Sequence, residues 1–96
     1  MVRDYELVFI VTPQASEENT EAVIERVKGF VTNAKGEIAK VDPWGLRRLA
    51  YPIRDSRDGF YVVAQFKMEP KETADLERNL KLTEEVLRYL LVRLGE

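Results

Sequence analysis

The stretch Arg3-Asp4-Tyr5-Glu6-Leu7-Val8-Phe9-Ile10-Val11-Thr12 decides the fold. A strand sends successive side chains to opposite faces, so Tyr5, Leu7, Phe9 and Val11 share one face while Glu6, Val8, Ile10 and Thr12 share the other. Both faces are apolar at the centre, which is the pattern of a strand with neighbours on either side. The segment is therefore expected to be central in a sheet. Pro13 ends it, because proline cannot donate to a ladder.

Working outward, the period becomes helical. Ser16 is a suitable N-cap, and Glu17 and Glu18 suit the positive end of a helix. Val23, Ile24, Val27, Phe30, Val31 and Ala34 recur at helical spacing. Gly36 reads as the left-handed residue that closes the helix. Gly29 weakens the helix interior by up to about 1 kcal/mol and reads as a site of close packing. Glu37 to Val41 alternates weakly as a second strand. Asp42-Pro43 is expected to interrupt it before it resumes from Leu46 to Ile53. Arg54 to Gly59 contains Asp-Gly, a hairpin-turn signal. Phe60 to Met68 is a third strand, with Phe60, Val62, Ala64, Phe66 and Met68 on one face. Tyr61, Val63, Gln65 and Lys67 take the other. Pro70 opens a second helix where its missing N–H costs little, with a narrow stripe of Thr73, Leu76 and Leu80. Val86 to Leu94 is a fourth strand, with Arg88, Leu90 and Val92 on one face and Tyr89, Leu91 and Arg93 on the other.

The order is β-α-β-β-α-β. Two interlocked right-handed β-α-β units predict an α+β, ferredoxin-like sandwich: a four-stranded antiparallel sheet with two helices on one face. Residues 1–96 form a single domain, with no linker, repeat or low-complexity tract. Each helix has one apolar stripe, so both cover the same sheet face and the opposite face is left open.

Composition narrows the function. Ninety-six residues, 45% hydrophobic and 33% charged, suit one small globular domain. The chain has no cysteine and no histidine, which removes thiolate chemistry, disulfides and the commonest acid-base and transition-metal ligand. No apolar run approaches the roughly 20 residues of a bilayer span, and no signal peptide precedes the first strand. A soluble, cytoplasmic protein without cofactor, metal, membrane contact or small-molecule substrate is expected. The net charge of −2 argues against a generic basic nucleic-acid binder. Acid nevertheless collects on the predicted helices, while Arg47, Arg48, Arg54 and Arg57 crowd the strands and their connection. One face can thus be positive on a neutral-to-acidic body.

The run Trp44-Gly45-Leu46-Arg47-Arg48-Leu49-Ala50-Tyr51-Pro52-Ile53 places adjacent arginines in a strand. Either one arginine sits beside the core, or a bulge or strand edge lets both reach solvent. Guanidinium groups on a rigid strand suit phosphate, being permanently charged and bidentate. The plainer reading is surface arginines whose stems cover apolar area. Arg88 falls on the face opposite the core, and Arg3 enters a strand expected to neighbour the fourth, so basic residues from distant segments are expected to converge on one side. Base stacking on the sheet is not expected, since Gly59-Phe60-Tyr61-Val62-Val63-Ala64-Gln65-Phe66 lacks the spaced aromatics of RNA-recognition domains. Val8, Ile10, Val63, Leu90 and Val92 read instead as an open apolar patch for a protein contact. Catalysis has little support. The adjacent carboxylates Glu84-Glu85 and Glu17-Glu18 diverge, and no phosphate loop or nucleophile elbow is present. An acylphosphatase-like site needs an asparagine beside an arginine, and Asn19, Asn33 and Asn79 all fall on predicted helices.

Three segments resemble the bacterial small-subunit ribosomal protein six family over nearly the whole chain. They are Arg3-Asp4-Tyr5-Glu6, the run Trp44 to Ile53, and Val86-Leu87-Arg88-Tyr89-Leu90-Leu91-Val92-Arg93. The resemblance implies a non-enzymatic ribosomal component that binds the central domain of small-subunit ribosomal RNA together with small-subunit ribosomal protein eighteen. It implies Arg3, Tyr5, Arg88 and Arg93 as RNA-binding residues, and Arg47 and Arg48 as serving RNA or the partner. The open face (Val8, Ile10, Tyr61, Val63 and Leu90) and the Trp44 region with Leu46 are the candidates for the partner protein. The isolated chain is expected to be monomeric. Asp4 stands where relatives often carry a basic or neutral polar residue, which should weaken the local field. The chain ends at Glu96, short of the tail many relatives carry, so tail-dependent functions are not expected. The competing reading is a regulatory or protein-interaction module of the same fold, homodimeric through its open sheet face.

Overall fold

The computed structural model describes residues 1–13, 17–53 and 56–95. Strand β1 (Arg3–Val11) leads to helix α1 (Glu17–Asn33), then to strands β2 (Glu37–Ile53) and β3 (Ser56–Met68). Helix α2 (Thr73–Leu82) is entered through a 3-10 turn at Pro70–Glu72, and strand β4 (Val86–Arg93) closes the chain. The sheet order is β2-β3-β1-β4 with every neighbouring pair antiparallel. This is the expected ferredoxin-like α+β topology. β1 is central, paired to both β3 and β4, as its two apolar faces require. Ser16, Arg54 and Asp55 lie outside the described residues, so the predicted N-cap and part of the predicted turn are not placed.

The core lies between the sheet and the helices. Leu7, Phe9, Val11, Val62, Phe66 and Met68 from the sheet meet Val23, Val27 and Val31 of α1 and Leu76 and Leu80 of α2. All of these side chains are almost wholly buried. Tyr5 belongs to the same cluster, its ring stacked on Phe66 at 5.8 Å between centroids.

Local details depart from expectation for physical reasons. The left-handed residue that ends α1 is Lys35, at φ 62°, rather than Gly36. The Lys35 N–H donates to the Thr32 carbonyl at 3.0 Å and the Gly36 N–H to the Val31 carbonyl at 2.8 Å, a Schellman pairing. Gly36 is needed for space: an added Cβ would stand 2.9 Å from the Val31 carbonyl oxygen and 3.1 Å from that of Lys67. Gly29, read as a site of close packing, has open space where its Cβ would be.

Pro43 does not break β2. It sits inside the strand, opposite Val62. β2 is an edge strand, and an edge tolerates a missing donor. The register shifts beside it, between Pro43 and Gly45, so Trp44 is an extra residue on the β2 side. Gly45 adopts φ 86°, open to glycine at no steric cost. The Asp58-Gly59 pair is not the hairpin turn; it lies inside β3, opposite Arg48 and Arg47. Gly59 answers to tertiary packing. An added Cβ would collide with Cγ2 of Ile10 and touch Cδ2 of Leu49 at 3.7 Å.

The pairing of β3 with β1 ends at Val11 opposite Phe60, whereas β3 itself starts at Ser56. Residues 47–53 and 56–59 therefore continue past β1 as a two-stranded ribbon, regular as far as Arg48 opposite Asp58 and shifted in register before Ile53 pairs with Ser56. The molecule measures 39 × 24 × 21 Å. None of the described helices is long and apolar enough to cross a membrane.

Candidate nucleic-acid and protein interface

Arg47 and Arg48 stand on the ribbon. Arg47 is opposite Gly59 and Arg48 opposite Asp58, so their side chains leave from opposite sides of it. Both are exposed, and neither lies beside the core. Arg57 on β3, outside the predicted set, is exposed beside them. Among the described residues Arg47, Arg48 and Arg57 make no ion pair.

The helix layer differs. Arg26 pairs with Glu85 at 3.3 Å, Lys28 with Glu25 at 2.9 Å and Arg78 with Asp75 at 3.3 Å. Arg26, Lys28 and Arg78 are thus balanced in place, while among the described residues Arg47, Arg48 and Arg57 of the ribbon are not. A positive potential can thus exist at one end of a molecule whose net charge is −2.

Arg88 adds to that end. It lies opposite Ile10 on the face away from the helices. Its guanidinium sits 5.8 Å from the ring centroid of Tyr51 and donates a hydrogen bond to the Tyr51 hydroxyl. Tyr51 is on the ribbon, so this contact ties β2 to β4 across the sheet.

Arg3 does not join this group. It is half-buried opposite Met68, on the face that carries the core. Arg93 is exposed opposite Tyr5, on the same face and at the same end of the sheet. The predicted basic set is therefore split. Arg3 and Arg93 occupy one end on the helix side, while Arg88 and the ribbon occupy the other end. β1 and β4 are neighbours as expected, but strand alternation places Arg3 and Arg88 on opposite faces. Tyr5 requires a second correction. It is 6% exposed and stacked in the core, so its ring cannot receive a base.

The apolar candidates also divide. Val8 stands between Val63 and Leu90, and these form a continuous strip on the face away from the helices. Leu90 is 60% exposed and Val92, further along β4, 39%. Tyr61 is half-buried opposite Ile10. Ile10 is only 7% exposed and does not belong to an open surface: the ribbon folds back there and sets Leu49 against it through Gly59. Leu46 is exposed opposite Phe60, on the side of the helix layer, and does not join the Val8 strip. Trp44 is half-exposed in the bulge, its indole N–H donating to Oδ2 of Asp42 at 3.2 Å. Leu49, Tyr51 and Ile53 of the ribbon roof a cleft of about 230 Å³, with Val8, Ile10 and Leu90 among its other walls.

The resolved pKa shifts lie away from the ribbon arginines. Burial pushes the Tyr89 phenol up, and its hydrogen bond to Oε1 of Glu77 at 3.1 Å acts in the same direction. A hydrogen bond from the Met1 amino group holds the Glu69 carboxyl below its usual value. Among the described residues no group of histidine, cysteine, aspartate or glutamate side chains could hold a metal ion.

Leu49, Tyr51 and Arg57 lie outside the predicted site, although Arg57 belongs to the basic cluster read from the sequence. Their signal was the alternation Arg47, Leu49, Tyr51, which puts an apolar residue and an aromatic on one side of the ribbon. Nothing local says that this side turns inward.

The arrangement defines a class: a split β-α-β domain that presents a cationic ribbon and an apolar sheet strip, a binding scaffold in form. The family model for ribosomal protein S6 matches residues 4–93, and the chain belongs to the ribosomal protein S6 family, whose members are structural and not enzymatic. It is 42% identical over 95 residues to small ribosomal subunit protein bS6 of Moorella thermoacetica, covering 99% of this chain and 97% of that one. It is 45% identical over 91 residues to the bS6 protein of Clostridioides difficile, covering 95% and 98% respectively. The crystal structure of 30S ribosomal protein S6 from Thermotoga maritima superposes with a TM-score of 0.92 at 35% identity, over 97% of this chain and 88% of that one.

Proposed function

We propose that this chain is a structural protein of the small ribosomal subunit, that it binds the central domain of small-subunit ribosomal RNA, and that small-subunit ribosomal protein eighteen is its partner. The observation that carries the RNA half is the contrast in charge. Among the described residues Arg47, Arg48 and Arg57 are exposed without an ion pair, while Arg26, Lys28 and Arg78 of the helix layer are paired with carboxylates. Arg88 extends the cationic end, and Arg3 and Arg93 offer a second, smaller contact. Such guanidinium groups bind phosphate bidentately. The partner half rests on the strip of Val8, Val63, Leu90 and Val92, with Trp44 beside the ribbon.

With few arginines in contact on a net acidic body, RNA affinity of the lone chain is weak and the partner must add basic surface. The test is a titration of a central-domain RNA fragment with the chain alone and with the partner. Tight binding is expected only for the pair. Equal affinity without the partner would rule out obligate cooperation. Light scattering should show the isolated chain as a monomer; a homodimer at micromolar concentration would favour a regulatory module pairing through its sheet face.

A further inference from the structure

The ribbon is fastened to the sheet at few points. Leu49 is 7% exposed, packed over Gly59 toward Ile10. Beyond it Tyr51 of β2 meets Arg88 of β4, and half-buried Ile53 lines the same cleft as Val8 and Leu90. The flanking residues Arg47, Arg48, Ala50 and Pro52 are exposed. At the base of the ribbon, Trp44 is unpaired in a bulge and Gly45 is at φ 86°, where backbone torsion is least restricted. A hinge, an arm and a catch thus occur in sequence along one strand.

We propose that Tyr51 and Arg88 form a latch holding the ribbon over the cleft, and that a phosphate group releases it by taking Arg88. The chemistry favours exchange. Tyr51 offers Arg88 only a neutral phenol oxygen, whereas a phosphate oxygen accepts a charge-assisted and often bidentate hydrogen bond. A phosphate that takes the edge bearing Nη1 competes with the Tyr51 oxygen for that donor. Release uncovers Ile10 and the half-buried Val8, which line the cleft beside the already exposed Leu90. Anion binding at Arg88 and exposure of the apolar strip are then coupled, so each favours the other. If the proposed function holds, RNA phosphate supplies the anion and the strip faces the partner protein. The latch itself requires neither.

The experiment uses the full chain without RNA or partner, so its outcome is independent of the ribosomal reading. Backbone amide exchange is followed at Leu49 and Tyr51 on the ribbon and at Leu7 and Phe9 in the core. Arg88→Gln should speed exchange at Leu49 and Tyr51 about tenfold while leaving Leu7 and Phe9 unchanged, and Tyr51→Phe should give an intermediate increase. Inorganic phosphate, added at constant ionic strength against chloride, should shift the Arg88 Nε–H resonance and speed ribbon exchange in the native chain but not in Arg88→Gln. Unchanged ribbon exchange in Arg88→Gln would overturn the latch. No shift at Arg88 with phosphate, or a shift without faster ribbon exchange, would overturn its release by anions.

Discussion

At the scale of single residues, the glycines separate backbone demands from packing demands. Gly29 has free space on its helix face, so Gly29→Ala should stabilise the fold by about 0.5–1 kcal/mol, read as a shift in urea midpoint. Gly36→Ala should destabilise it by roughly 1–3 kcal/mol, because the new methyl meets the Val31 and Lys67 carbonyl oxygens, which cannot swing aside. Lys35 holds the left-handed position that glycine normally takes, and Lys35→Gly should gain up to about 1 kcal/mol in the same assay. The local signal in the sequence, a glycine after an amphipathic run, located the end of the helix correctly. It could not say which of two adjacent residues turns left-handed, because that depends on how closely β3 approaches. Tyr5 teaches the same lesson. Its place at a basic start suggested a surface role, yet its alternation with Leu7 and Phe9 commits the ring to the core.

At the scale of elements, β4 and α2 are joined by the hydrogen bond from Tyr89 to Glu77. The Tyr89 phenol is raised above the ordinary value of 10.0, first by burial and then by this bond. A raised phenol pKa means that folding favours the neutral form. The contribution is complete below the unfolded value, about 10, and disappears as pH rises through the higher folded value. Urea midpoints taken between pH 8 and pH 11 should therefore fall less steeply for Tyr89→Phe than for the native chain. Identical slopes would mean that Tyr89 does not contribute. The β2–β3 pair shows where element-level reading ended. The hairpin itself was legible from two alternating runs joined by a polar stretch. Its length was not, because Asp42-Pro43 and Asp58-Gly59 look like breaks and are both absorbed into strands. An edge strand forgives proline, and a close approach of Ile10 calls for glycine, and neither condition is local.

At the scale of the whole molecule, charge is sorted by element. If the ribbon carries the RNA contact, Arg47→Ala and Arg48→Ala should each lower the log-log salt slope of RNA binding by about 0.7–0.9. Arg78→Ala should leave the slope unchanged, since that side chain is already committed to Asp75. Equal losses for ribbon and helix substitutions would place the RNA elsewhere. The sequence by itself determined the β-α-β-β-α-β order, the central place of β1, the shared face of the two helices and the family, because alternation, helical spacing and the run Trp44 to Ile53 are properties of contiguous residues. Only the tertiary structure decided which candidate surfaces are surfaces at all. It buried Tyr5 and Ile10, parted Arg3 from Arg88 and set Tyr51 against Arg88. The physical reason is that these outcomes depend on how far β2 and β3 outrun the sheet and on the way their ribbon curls back over it, and both are set by packing between residues distant in the chain.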